Sequence, residues 1–179
     1  MAGPLTDGKI TLRAPLPEDA PAHCSAVLES LPQTGRWLDW AHKGYGVDES
    51  SAFIARAISG HESGDAYEFL IFDAGGGFLG GCGLNRLDVR FLKSNLGYWV
   101  RSTAAGQGIA TAATGLLARF GFEQLGLQRI EIVAAVENLA SQRVAEKAGA
   151  QREGVLRNGI RLRGVNVDAV CFSIIPGDL

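Results

Sequence analysis

Residues 96–122, LGYWVRSTAAGQGIATAATGLLARFGF, pass from a strand through a glycine-bearing loop directly into a helix. Leu96, Tyr98 and Val100 alternate with Gly97, Trp99 and Arg101, which is the period of a strand with two unlike faces. Ile109, Ala112, Ala113, Leu116, Leu117 and Phe120 then recur at helical spacing and form one apolar stripe. After Gly126, Ile130–Val136 has the β-branched content of another strand. The segment 96–136 therefore reads as a βαβ crossover, which commits the chain to a sheet covered by at least one helix. Between strand and helix lies Ala104-Ala105-Gly106-Gln107-Gly108, with no bulky side chain where the helix begins. A helix start leaves backbone N–H groups unpaired at the positive end of the macrodipole, so small residues there suit a phosphate or pyrophosphate. A tight turn needing only backbone freedom would use the same two glycines, and the loop alone names no ligand.

The next junction follows the same logic. Asn138 is the expected N-cap of a helix that buries Ala140, Val144, Ala145 and Ala148 and stops at Gly149. Ligands of such sheets gather at the carboxyl ends of strands, so the glycine loop and the polar pair Asn138 and Ser141 are expected at one edge. Upstream, Ile10–Ala14 reads as a strand, and Pro17-Glu18-Asp19 open a helix carrying Ala22, Ala26 and Val27. Residues 31–47 mix Pro32, Gly35, Gly44 and Gly46 with Trp37, Trp40 and Tyr45, giving a short helix or irregular segment whose aromatics seal a core edge or line a pocket. Asp48 is the expected cap of a helix through Ser59, and Tyr67–Phe72 and Phe78–Leu84 form a hairpin around Asp73–Gly77. Leu87–Asn95 reads as a polar connection, and Gln151–Arg161 and Val165–Ile175 as closing strands joined around Gly164. Together these define a single α/β domain, mixed α+β, over residues 1–179.

Several functions are disfavoured. Gly75, Gly77 and Gly80 match GxGxxG, but a strand follows rather than a helix, so a nicotinamide or flavin site is rejected there. A net charge of −2 lacks the basic excess of a nucleic-acid binder. Its distribution is uneven: 7 basic and 12 acidic side chains lie through residue 90, and 10 and 7 after it, which suits a phosphorylated cofactor and a cationic acceptor, although scatter of surface charges gives the same asymmetry. Cys24, Cys82 and Cys171 form no CxxC pair, and His23, His42 and His61 show no ligand spacing, so neither a disulfide framework nor a metal site is expected. The N-terminus has no secretory pattern and no run is long enough to span a bilayer, so a cytoplasmic location away from membranes is the expectation.

Taken together, LGYWV, AGQGIAT, ENLASQRVAEKAGA and REGVLR, in this order and spacing, resemble the GNAT superfamily of N-acetyltransferases, and within it the ribosomal-protein N-terminal acetyltransferase (RimJ/RimL-like) branch. The resemblance implies a mostly antiparallel mixed sheet flanked by helices around a βαβ acyl-CoA-binding core. It implies acetyl-CoA as co-substrate, with the pyrophosphate on the backbone of Gly106, Gln107, Gly108, Ile109, Ala110 and Thr111. Trp99, Val100 and Arg101 would run beside the pantetheine arm and hold the thioester carbonyl. Asn138 would hydrogen-bond the same arm, and Ser141 would sit near the sulfur as the acid for the departing thiolate, with a plain first-turn position in the helix that Asn138 caps as its alternative. The acceptor, a primary amine on a small molecule or a protein N-terminus, would enter past Trp37, Trp40 and Tyr67. Glu68, on the strand bordering that entrance, is the candidate base, with a solvent-facing strand position as its alternative. The branch also allows a homodimer.

The sequence departs from the family pattern at three places. Ala105 stands where the loop usually has Arg or Gln, Ala150 replaces an aromatic after Gly149, and Phe172 removes a tyrosine acid from the last strand. Alternatives are transfer from a longer acyl-CoA, a CoA-binding regulator without turnover, or another phosphate ligand. The last lacks the Walker-type lysine.

Overall fold

The computed structural model describes residues 3–179, and its eight strands form one sheet in the order β1-β2-β3-β4-β5-β6-β8-β7. The strands are β1 (Leu5–Thr6), β2 (Ile10–Arg13), β3 (Tyr67–Asp73), β4 (Phe78–Asp88), β5 (Lys93–Val100), β6 (Arg129–Ala135), β7 (Gln151–Leu162) and β8 (Val165–Ile174). Four helices cover them: α1 (Ala20–Thr34), α2 (Val47–Ser63), α3 (Ile109–Leu125) and α4 (Leu139–Lys147). β5 and β6 are parallel, as the crossover requires, and the other pairings are antiparallel.

The alternation of β3, β4 and β5 sets the two faces. Phe69, Ile71, Cys82, Leu84 and Leu96 point toward α3 and pack on Ala113, Leu117 and Phe120, the stripe read from the sequence. Leu70, Phe78 and Trp99 point the other way, against Ala26 of α1 and Phe53 of α2. The parallel pairing of β5 with β6 lasts only from Lys93↔Arg129 to Asn95↔Glu131. β5 continues to Val100 while β6 turns toward β8, so the two strands splay and leave one side of Leu96–Val100 without a strand partner.

Some boundaries differ from the sequence reading. The short strand β1 was not expected. Leu87–Asn95 is not a free connection: β4 runs to Asp88 and β5 starts at Lys93. Its polar residues are tolerated because they satisfy one another, with Ser94 Oγ donating to the Asn85 carbonyl at 2.8 Å and Asn95 Nδ2 to Asn85 Oδ1 at 3.1 Å. Asp48 is a first-turn residue of α2, and Gly46 is the N-cap; Glu49 reaches back to accept the Gly46 N–H at 2.8 Å. Residues 31–34 complete α1 despite Pro32, and the irregular segment is residues 35–46. Asn138 does cap α4, its Oδ1 accepting the Ser141 N–H at 3.2 Å.

Candidate active site

Two cavities meet on β5. One, of about 560 Å³, fills the splay between β5 and β6 and is lined by Leu96–Val100, the glycine loop, Ile132–Ala135, Asn138 and Ser141. The other, of about 670 Å³, lies on the opposite side under α1, α2 and the 35–46 segment. Leu38, Gly97, Tyr98 and Trp99 line both.

The glycine loop forms one end of the first cavity. Gly106 and Gly108 hold φ of +77° and +79°, the left-handed region where glycine has no steric penalty. A Cβ added at either would meet nothing within 4 Å, so the loop's outer side is open. The first bond of α3 runs from the Ala112 N–H to the Gly108 carbonyl at 3.0 Å, which places the N–H groups of Ile109, Ala110 and Thr111 ahead of the intrahelical ladder. Gln107 is turned aside, its Nε2 donating to the Thr103 carbonyl at 3.1 Å, and its side chain braces the loop instead of entering the cavity. Arg101 lines neither cavity. It pairs with Glu29, donates to the Phe78 carbonyl at 3.1 Å and ties the end of β5 to α1; that pairing holds the Glu29 carboxyl down at about 2. Strand alternation and the α1 carboxylate decide its direction.

At the far end of this cavity, Tyr98 reaches from β5 to α4. Its Oη donates to the Ser141 carbonyl at 2.9 Å and lies 3.1 Å from Ser141 Oγ. Burial raises the phenol to about 12, so it is protonated at neutral pH. With Asn138 Oδ1 occupied by its cap, the Asn138 amide N–H groups are left for a ligand.

The second cavity has a floor made by glycine. Glu68, Gly83 and Gly97 lie opposite one another across β3, β4 and β5, and Leu70, Gly81 and Trp99 form the adjacent row on the same face. The Glu68 carboxylate lies flat over Gly83, where a Cβ would stand 1.9 Å from Oε2. At Gly97 a Cβ would meet nothing within 4 Å. Gly83 thus makes room for the carboxylate, while Gly97, which lines both cavities, intrudes on neither. Glu68 is half-buried and lines the second cavity rather than facing bulk solvent. Desolvation raises its pKa, opposed by the neighbouring Asn85 amide. Tyr67, one residue earlier, faces the other side of the sheet and packs on Phe120 and His61 at ring distances of 5.4 and 5.3 Å, lining neither cavity. Trp37 lines the first cavity and Trp40 the second.

Sequence reasoning missed His23, Asn85, Gly83, Gly97 and Tyr98. One signal was available: His23 falls on the buried stripe of α1 with Ala20, Val27 and Ser30, a polar residue where an apolar one is expected. The glycines carry no local signal, because their role is set by residues across the sheet. Among the described residues no three His, Cys, Asp or Glu side chains converge as metal ligands, and no helix is long and apolar enough to cross a membrane.

Residues 9–151 match the family model for the acetyltransferase (GNAT) domain. YdaF of Bacillus subtilis (strain 168), named provisionally as a ribosomal N-acetyltransferase, is 32% identical over 173 residues, covering 93% of this chain and 91% of that protein. The solved structure of RimJ from Mycobacterium smegmatis in complex with CoA-disulfide superposes with a TM-score of 0.87 at 26% identity, covering 99% of this chain and 88% of that one. A protein from Vibrio cholerae, provisionally a ribosomal-protein-serine acetyltransferase, gives 0.86 at 28% identity over 97% and 98% of the two chains.

Proposed function

Since the chain belongs to the acetyltransferase (GNAT) family and is an N-acetyltransferase, we propose that it moves the acetyl group of acetyl-CoA to a primary amine by direct attack on the thioester, and that the amine is a protein N-terminus. The observation that carries this reading is the splay of β5 from β6, which opens a donor cavity on one side of Gly97–Trp99 and an acceptor cavity on the other. A CoA-disulfide complex of a RimJ with the same fold supports the donor assignment, and the names of the relatives support the acceptor.

In this reading the pyrophosphate rests on the N–H groups of the 106–111 loop, and the pantetheine arm lies along the unpaired side of β5 beside Asn138. The amine nitrogen attacks the thioester carbonyl from the Gly97 side. As the C–N bond forms, the amine proton passes to Glu68, whose raised pKa makes it a stronger base than a solvated carboxylate. Backbone N–H groups of β5 stabilise the oxyanion. The C–S bond then breaks, and the thiolate takes a proton from Ser141 Oγ, which Tyr98 Oη holds in place; Ser141 regains a proton from solvent as Glu68 releases the one it took.

Thiol release with acetyl-CoA and a peptide bearing a free N-terminus tests the reading. Glu68→Gln should lower kcat by roughly 10² or more with acetyl-CoA affinity retained, while Ser141→Ala should lower kcat, acetyl-CoA affinity or both. Turnover and affinity untouched by both substitutions would refute these assignments. Binding of acetyl-CoA with no thiol release for any amine would favour a regulator.

A further inference from the structure

The acceptor cavity contains a buried base that the chemistry above does not use. His23 is 1% exposed yet lines the cavity, its ring stacked 5.0 Å from Phe53 and edge-on to Trp99 at 5.5 Å. Its Nδ1 lies 2.9 Å from Ser50 Oγ, and Ser50 Oγ donates onward to Tyr45 Oη at 3.4 Å. A serine hydroxyl has one proton. If that proton points at Tyr45, the serine can only accept from the histidine, so Nδ1 carries the ring proton and Nε2 keeps a bare lone pair. Nε2 has no hydrogen-bond partner among the described residues. Nor is it sealed in protein, since the one fully enclosed side-chain atom lacking a partner there is Nδ1 of His61. Nε2 therefore opens into the acceptor cavity, and with the Ser50 proton on Tyr45 it presents its lone pair there. Burial holds the imidazole down at about 4, so it is neutral at physiological pH.

We propose that His23 Nε2 is a specificity group for the acceptor, taking a hydrogen bond from an N–H or O–H that the substrate carries close to the amine being acetylated. The inference rests on the reading that this cavity receives the amine. A lone pair fixed by Ser50 and by ring packing cannot turn to find another partner, so a substrate placing an ether or ester oxygen there meets an unpaired acceptor. The carboxyl groups of Asp39, Glu49 and Glu68 add further acceptors to the lining, alongside donors on Arg56 and Asn85. The substrate class is thus an amine with a second donor nearby: an α-amine followed by an amide N–H, or an amino alcohol.

Two matched pairs of amines test this: alaninamide against alanine methyl ester, and aminopropanol against its methyl ether. For at least one pair the wild-type enzyme should favour the donor-bearing member by roughly tenfold or more in kcat/KM. In His23→Phe, which keeps a flat ring between Phe53 and Trp99, that ratio should fall to about one with acetyl-CoA affinity unchanged. NMR of isotope-labelled His23 in the wild-type protein provides a second readout, independent of turnover. Nε2 should be the unprotonated nitrogen, and its resonance should move on titration with the donor-bearing amine and not with its partner. Equal rates within both wild-type pairs, a preference surviving in His23→Phe, or a proton on Nε2 would each overturn the proposal. Absence of thiol release with any amine would refute the catalytic reading instead, leaving the NMR titration to judge the histidine.

Discussion

Replacing Gly83 with alanine should separate the chemistry of this site from its folding. Gly83 has no left-handed backbone angle, so alanine is conformationally admissible in β4. By restricting the unfolded chain it should add about 0.4–1 kcal/mol, less whatever the new contact costs. That contact is specific: the added Cβ would lie 1.9 Å from Glu68 Oε2 and 2.3 Å from Cδ, where real Cβ atoms do not approach within 3.0 Å. The carboxylate is the far end of a flexible side chain and can move, so the backbone need not. A shift on the order of 1 Å follows, and misplacement of that size costs about 10²-fold in rate. The expected phenotype is a folded protein with unchanged acetyl-CoA affinity and kcat/KM lowered about 10²-fold. The decisive assay is a double-mutant cycle. If Gly83→Ala acts only by moving the carboxylate, it should cost almost nothing in a Glu68→Gln background that has already lost the base. An equal loss in both backgrounds, or acetyl-CoA affinity falling in step with rate, would show that the glycine serves something other than Glu68.

Three further outcomes are expected. The folded His23 titrates at about 4 against an ordinary 6.5, so its contribution is complete above pH 6.5 and is lost as pH falls toward 4. At full titration this is worth about 3 kcal/mol, and His61, lowered by burial in the same direction, adds to it; urea midpoints at neutral and acid pH should fall less in His23→Phe than in the wild type. Tyr98→Phe removes the hydroxyl from the Ser141 carbonyl and Oγ, and should cost about 0.5–1.5 kcal/mol in stability together with roughly tenfold in kcat, measured by melting and steady-state rates. Arg163, between β7 and β8, donates to the carbonyls of Gly35, Leu38 and Ala41. Arg163→Ala should speed amide exchange in residues 35–46 and raise the KM for both substrates, because Trp37 and Leu38 wall the donor cavity while Leu38 and Trp40 wall the acceptor cavity.

The glycine loop, the helix after it and the Asn138 cap were legible from residue order because their signals are local. The stripe from Ile109 to Phe120, the glycines before it, and Asn138 three residues ahead of Ser141 each depend on neighbours within a turn or two of helix, and each folds as its spacing implies. The polar stretch 87–95 misled for the converse reason: Asn85, Ser94 and Asn95 satisfy one another across two strands, a relation that propensity does not register.

The second cavity was decided by tertiary structure. Sheet register brings Glu68 over Gly83 and next to Gly97, from three separate strands. Register also turns Tyr67 away from the cavity, since successive residues of a strand take opposite faces. Packing of α1 on α2 sets His23 against Ser50, 27 positions later, and that contact engages Nδ1 and leaves Nε2 without a partner. Loops and caps that bind a phosphate are built from contiguous backbone, so they can be read in order. A pocket that recognises an amine is built from side chains converging across the sheet, and their distances exist only once the chain has folded.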